Sequence, residues 1–185
     1  NKAPFKKYFE RKAKLIGVDQ LGWLDVSASV DVGDYTSKRY TYNEAAEFII
    51  DNFKSFSPKM ADMSRRAFEE QWIEAEDRPG KRPGGYCSKL PESKQSRIFM
   101  TFAGSTGNVS TLAHELGHAF HSYVLNDLPL FNQRYAMNVA ETASTFAELV
   151  VSNATIENAT SDAEKINLLD GKIARSVAFM MNIHA

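Results

Sequence analysis

The sequence predicts a mainly helical fold with a small β-sheet, an α+β class, and three observations carry that reading. Helix-start residues recur ahead of apolar positions at helical spacing, around Thr41, Ser57, Asn108, Asn138 and Ser161. One short run, Arg97 to Ala103, is rich in β-branched and aromatic residues and is ended by Gly104, the pattern of a strand. The 185 residues are 43% apolar, enough for a real core, with neither internal repeats nor a low-complexity segment.

Tyr8 to Ile16 mixes charged and apolar residues and is expected to form a short helix. From Gly17 to Tyr40, Trp23, Leu24, Val26, Val30 and Val32 are interrupted by Asp and Gly, which predicts loop and short strand. Thr41-Tyr42-Asn43-Glu44 reads as a capping box opening a helix to about Phe53, with Ala45, Phe48, Ile49 and Phe53 at helical spacing. Ser57-Pro58 is a second start, a cap followed by proline at the first helical position, for a helix to about Ala75 carrying Met60, Met63, Phe68 and Trp72. Asp77 to Gly85, with its prolines and glycines, is a loop and a candidate internal boundary or flap. After the strand, Asn108 or Ser110 caps a helix from Thr111 to about Leu125. A loop from Asn126 to Met137 leads to a helix over Asn138 to Ala154, and Ser161-Asp162-Ala163-Glu164 opens a last one to about Met181.

Composition excludes several roles. A formal net charge of −1, with basic residues scattered in pairs such as Lys6-Lys7 and Lys81-Arg82, gives no electrostatic case for nucleic acid or an anionic membrane as partner. No apolar run approaches the ~20 residues that span a bilayer. Asn1 to Glu10 hold no apolar h-region, so no signal peptide is expected. The lone Cys87 precludes an internal disulfide and fits a reducing, cytoplasmic setting. It reads as a small packing residue rather than a nucleophile, since no separate base is placed to serve it. The chain opens without methionine and ends inside a helix-like pattern, so a piece of a longer polypeptide is expected.

The chemistry concentrates in His114-Glu115-Leu116-Gly117-His118. On a helix the two histidines fall on one face and can share a metal ion, while Glu115 is placed to take a proton from a water there. A catalytic zinc needs one more protein ligand and an open position. A third histidine in the metzincin pattern would stand at position 124, which is Val124, and that arrangement fails. A glutamate from a downstream helix is the other arrangement, and Glu141 and Glu148 both fit the distance. Glu141 is favoured by Ala140, Ala143 and Ala147, which let two helices approach closely. Asn138 and Glu141 also fit a capping box, so the carboxylate has a competing use. Glu148 lies on nearly the same face and either supports a histidine ring or is a surface acid. His121 is expected to be a packing or supporting histidine, because a fourth protein ligand would close the site.

Two blocks, Thr111-Leu112-Ala113-His114-Glu115-Leu116-Gly117-His118-Ala119-Phe120-His121 and Val139-Ala140-Glu141-Thr142-Ala143-Ser144-Thr145-Phe146, resemble the oligoendopeptidase F branch of the M3 (thimet oligopeptidase-like) metallopeptidases. Lys81-Arg82-Pro83-Gly84-Gly85-Tyr86-Cys87 and Ile98 to Gly104 are similar to family segments upstream of the metal helix. The resemblance implies a zincin-like core of the gluzincin type, one Zn2+ on His114, His118 and Glu141, and Glu115 as general base. It implies that residues 1–185 are a partial catalytic domain, about 1–80 a helical lead-in and about 81–185 the strand and zinc-binding helices. Short peptides are the implied substrates. A later family segment supplies tyrosine and histidine groups that bind substrate and steady the oxyanion, so the rest of the parent polypeptide is expected to be needed. Position 85 is Gly where the family pattern leads one to expect Ala, a minor change on sequence grounds.

For substrate, the strand before the metal helix offers an edge to an extended peptide, with Phe102, Ala103 and Gly104 as candidate binding residues; an interior strand would have no such edge. Two other functions fit less of the sequence: an inactive, zinc-stabilised helical module, for which Glu115 has no use, and a zinc hydrolase of non-peptide amides.

Overall fold

The computed structural model describes residues 2–28, 30 and 38–184. Its elements run α1 (Lys2–Ile16), a 3-10 turn (Trp23–Ser27), α2 (Tyr42–Phe56), α3 (Pro58–Glu69), β1 (Ile73–Glu74), β2 (Gly85–Leu90), β3 (Gln95–Met100), α4 (Thr106–Val124), a second 3-10 turn (Leu130–Gln133), α5 (Met137–Glu157) and α6 (Asp162–His184). Helix dominates and the three strands form one small sheet, as the sequence predicts. Among the described residues no helix is long and apolar enough to cross a membrane. Val32, part of the expected loop and strand region, lies outside the described residues.

The chain divides into two compact units, Asn1–Thr36 with Ala159–Ala185, and Ser37–Asn158. In the second unit α2 and α3 pack into the core that holds the sheet and α4. In the first unit Arg11 of α1 pairs with Asp170 of α6, and buried Lys12 donates to the Val26 carbonyl.

In the second unit each boundary follows from local chemistry. The Thr41 hydroxyl accepts the Glu44 N–H at 3.2 Å while the Glu44 carboxylate accepts the Thr41 N–H at 2.7 Å, the reciprocal capping box at the start of α2. Replacing Thr41 by Ala should cost ~1 kcal/mol, read as a lower urea midpoint with an unchanged slope. Ser57 caps α3 with Pro58 at its first position. That helix ends at Glu69, short of the expected Ala75, because Gln71 takes a left-handed φ of 56° and turns Trp72 and its neighbours toward the sheet. The Trp72 carbonyl accepts the Ile98 N–H at 2.9 Å, and Ile73 and Glu74 pair in parallel with Ile98 and Phe99.

The strand order is β1-β3-β2, with β2 antiparallel to β3 in register from Gly85 opposite Met100 to Leu90 opposite Gln95. Along β3, Ser96, Ile98 and Met100 are buried while Arg97 is exposed, a strand's alternation of faces. On the other face Phe99 stacks on Tyr86 and lies under the Lys81 ammonium, 4.4 Å from the ring centre. Lys81 also reaches the carboxylate of Glu74 at 2.8 Å and the Glu76 carbonyl at 2.7 Å, which ties the proline-glycine loop to the sheet.

α4 packs on β2 and β3 and is crossed by α5. It starts a turn earlier than expected, because Ser105 rather than Asn108 or Ser110 is its N-cap. The Ser105 hydroxyl accepts the Asn108 N–H at 3.1 Å, and the Asn108 carboxamide oxygen takes the Ser105 and Ala103 N–H groups. Gly104, at φ 83°, is required there: a Cβ would stand 2.7 Å from the Tyr40 carbonyl oxygen. Leu112, Leu116, Phe53, Ile49, Ile98, Met100 and Val151 join in the core, all essentially inaccessible.

Candidate metal and catalytic site

The site arises where α5 crosses α4, and the crossing is set by Gly117. A Cβ at that position would stand 2.7 Å from the Ala143 carbonyl oxygen, 2.7 Å from Ser144 Cα and 2.8 Å from Ala147 Cβ. The helices therefore touch backbone to backbone between the two histidine turns. With Ala143 and Ala147 on the facing helix, Glu141 on α5 comes within reach of both rings on α4.

Glu141 Oε2 lies 3.2 Å from His114 Nε2 and 3.6 Å from His118 Nε2, and the two rings stand edge-on with centres 4.9 Å apart. Among the described residues these three make the one group able to share an ion, with ligand atoms all within 4.8 Å of one another. Of the two acids that fit by spacing, the structure brings Glu141 to the histidines. Its competing use as a capping-box glutamate falls away, since α5 begins after Ala136 with no side-chain cap. Two nitrogens and one carboxylate oxygen suit a divalent ion of borderline softness. In a tetrahedral site with bonds of ~2.1 Å, ligand atoms stand ~3.4 Å apart, and the two separations of 3.2 and 3.6 Å bracket that value.

Each ring is held from behind. His114 Nδ1 faces Glu148 Oε2 at 3.5 Å, and that contact raises the His114 pKa against burial, which lowers it. The Ala140 backbone hydrogen-bonds the His118 ring, although burial is the larger influence and lowers the His118 pKa. Partners of this kind fix the tautomer and direction of a ligating imidazole. His121 stands outside the group. Its ring stacks on Tyr135 with centres 4.2 Å apart, burial lowers its pKa, and its buried Nδ1 has no hydrogen-bond partner among the described residues.

Glu115, next to His114 on α4, lies against Gly85 of the sheet. It is 4% exposed, its Oε2 is buried without a hydrogen-bond partner among the described residues, and burial pushes its pKa up to about 7; His114 opposes that rise and Glu141 adds to it. A carboxylate so placed holds or releases a proton near neutral pH. Gly85 at the start of β2 lies against it: a Cβ there would stand 3.0 Å from Glu115 Oε1 and 3.2 Å from Met100 Cβ. An alanine there would make a tight contact with the Glu115 side chain, which would have to give by a few tenths of an ångström. Cys87, two residues on, is carried by burial to a pKa of about 12, with Glu115 adding to the rise, which makes it a poor nucleophile.

One expectation is overturned. The run ending at Phe102, Ala103 and Gly104 has no free edge, because β3 is the central strand, paired with β1 and β2. Beyond it the Phe102 N–H donates to the Ala75 carbonyl, the Ala103 N–H to Asn108, and the Gly104 carbonyl accepts from Tyr40. The outer strands are β1 and β2, each paired on one side only among the described residues, and β2 is the longer of the two. Reasoning from sequence missed β2 because Gly-Tyr-Cys-Ser-Lys-Leu lacks an apolar alternation, and it missed Gly85, Gly117 and Ser144 as shaping residues. The small residues of α5 were the signal for a close crossing, but nothing marked Gly117 as its counterpart.

Fold and site together define a helical core with a small sheet in which a His-Glu-x-x-His helix is crossed by a glutamate-bearing helix. PZ peptidase A, solved with an inhibitor, has the same fold, with a TM-score of 0.77 at 24% identity over 94% of this chain and 31% of its own. The model for Peptidase family M3 matches residues 12–183, and the chain belongs to that family. It is 26% identical over 172 residues to the chromosomal oligoendopeptidase F of Lactococcus lactis subsp. cremoris, covering 89% of this chain and 27% of that protein. It is also 26% identical over 187 residues to the group B oligopeptidase PepB of Streptococcus agalactiae, covering 97% of this chain and 30% of that protein. The chain thus spans under a third of the length of these curated relatives.

Proposed function

We propose that this chain is the metal-binding part of the catalytic region of a cytoplasmic, zinc-dependent oligopeptidase that cleaves short peptides. The observation that carries the reading is Glu141 Oε2 between the Nε2 atoms of His114 and His118, beside a buried carboxylate, Glu115, that is not one of the three. The M3 relationship and the oligopeptidase names of its relatives support it.

His114, His118 and Glu141 would hold one zinc ion, which supplies Lewis-acid polarisation of a carbonyl and a lowered pKa for water. Glu115 takes the proton of the attacking water on a carboxylate oxygen and delivers it to the departing amine. Burial suits it to both steps, since a base with a pKa near neutrality can also return its proton. Glu148 and the Ala140 backbone keep the two imidazoles turned toward the ion. An extended peptide would add to the open edge of β2, main chain to main chain, which brings it past Gly85 to Glu115. Phe102, Ala103 and Gly104 shape that region from the end of β3 without offering an edge. The rest of the parent polypeptide would close over the substrate and stabilise the oxyanion.

Metal analysis tests the reading. The full-length protein should carry about one zinc per chain, as a three-ligand site holds, and lose both the ion and peptide cleavage on dialysis against a chelator, with recovery on adding zinc. Protein that takes up no zinc, or cleaves equally well without it, defeats the proposal.

A further inference from the structure

Ser144 is wholly buried, yet its hydroxyl is aimed at the site. Ser144 Oγ lies 2.8 Å from Glu141 Oε2 and 3.1 Å from the Glu141 carbonyl oxygen. A serine hydroxyl has one proton to give. The carbonyl already receives the Thr145 hydroxyl, whereas the carboxylate oxygen is both closer and charged, so the proton goes to Oε2. That is the same oxygen that faces both histidines.

The Glu141 side chain is 42% exposed, so burial does little to fix its rotamer. Once the Nε2 lone pairs of His114 and His118 turn to a metal, those nitrogens cannot donate to Glu141. Ser144 is then the hydrogen-bond donor left to Oε2 among the described residues. Ser144 is itself held in place, because α4 passes over it so closely that a Cβ on Gly117 would stand 2.7 Å from its Cα. A glutamate ordered in advance spares the rotamer entropy that metal binding would otherwise cost.

We propose that Ser144 is a positioning residue of the metal site, fixing the Glu141 carboxylate with Oε2 aimed between the two histidines. The inference rests on the metal-site reading above and adds to it a residue that touches neither metal nor substrate. Groups that orient ligands in this way are worth about tenfold to a hundredfold in metal affinity.

The test compares wild type, Ser144→Ala and Ser152→Ala in the full-length polypeptide; Ser152 is a second buried serine on α5 and serves as the control for losing a hydroxyl there. Zinc affinity is measured by competition with a chromophoric chelator, and ligand geometry by the visible spectrum of bound cobalt(II). The zinc dissociation constant should rise about tenfold to a hundredfold in Ser144→Ala and stay unchanged in Ser152→Ala. The cobalt spectrum should change in Ser144→Ala alone, while the metal-free proteins melt at the same temperature. Wild-type affinity and spectrum in Ser144→Ala would overturn the role of Ser144 and leave the metal site standing, as would equal weakening in both serine variants. A wild type that binds neither ion would overturn the metal site itself and the inference with it.

Discussion

Glu115→Gln should leave the metal in place and reduce peptide cleavage by about a hundredfold to ten-thousandfold, the range for losing a general base. Glutamine keeps the shape of the side chain, so the space against Gly85 and Met100 stays filled and the fold is undisturbed. It also leaves His114, His118 and Glu141 intact, and zinc content should match wild type. What disappears is a carboxylate that burial has raised to about 7. Such a group acts as a base above its pKa and loses that ability as pH falls through it, and the amide has neither state. The measurement pairs zinc analysis with kcat on a quenched fluorescent peptide, using the full-length polypeptide. Turnover at the wild-type rate would remove Glu115 from the reaction, and loss of zinc would mean that it holds the metal rather than the proton.

How far the sequence reveals this fold depends on whether the signal is local. Thr41 with Glu44, and Ser57 with Pro58, are complete within a few residues, and the helices they open start where expected. The end of α3 was not legible, because it depends on the left-handed Gln71 and on pairing of Ile73 with Ile98, twenty-five residues away in sequence. Without that partner, Trp72 to Ala75 reads as more helix. The start of α4 was misplaced for a related reason: Ser105, Asn108 and Ser110 are all good caps, and the requirement for Gly104 under the Tyr40 carbonyl fixes the choice.

In the site, the two histidines and Glu115 are legible because one helix sets their spacing. Glu141 was legible as one of two acids at the right distance. The crossing geometry then decided between them, since Glu148 falls behind His114 at Nδ1 instead of beside Nε2. The misassigned peptide edge shows the limit most plainly. Which strand of a sheet is central is a property of its partners, and β1 is two residues long, too short for periodicity to reveal.

Gly117 offers a test in which two physical effects have opposite signs. In the middle of a helix, Gly→Ala normally stabilises by about 1 kcal/mol through propensity. Here the added methyl would meet the Ala143 carbonyl oxygen and Ser144 Cα at 2.7 Å, both of them backbone atoms that no rotamer change can move. Restoring ordinary contact near ~3.5 Å requires α4 and α5 to part by on the order of half an ångström or more. Overpacking of this kind costs roughly 1–3 kcal/mol, which outweighs the gain in propensity, so Gly117→Ala should lower the unfolding midpoint. The displacement also exceeds the roughly 0.2 Å tolerance of metal–ligand distances, and it acts on the helix that carries Glu141 and Ser144. Zinc affinity should therefore fall along with stability, by at least about tenfold on the scale of lost ligand orientation. Gly117→Val should deepen both losses. Chelator competition and urea unfolding of the metal-free protein read the two effects separately. A Gly117→Ala protein more stable than wild type, with unchanged zinc affinity, would mean that the close crossing does not set the geometry of the site.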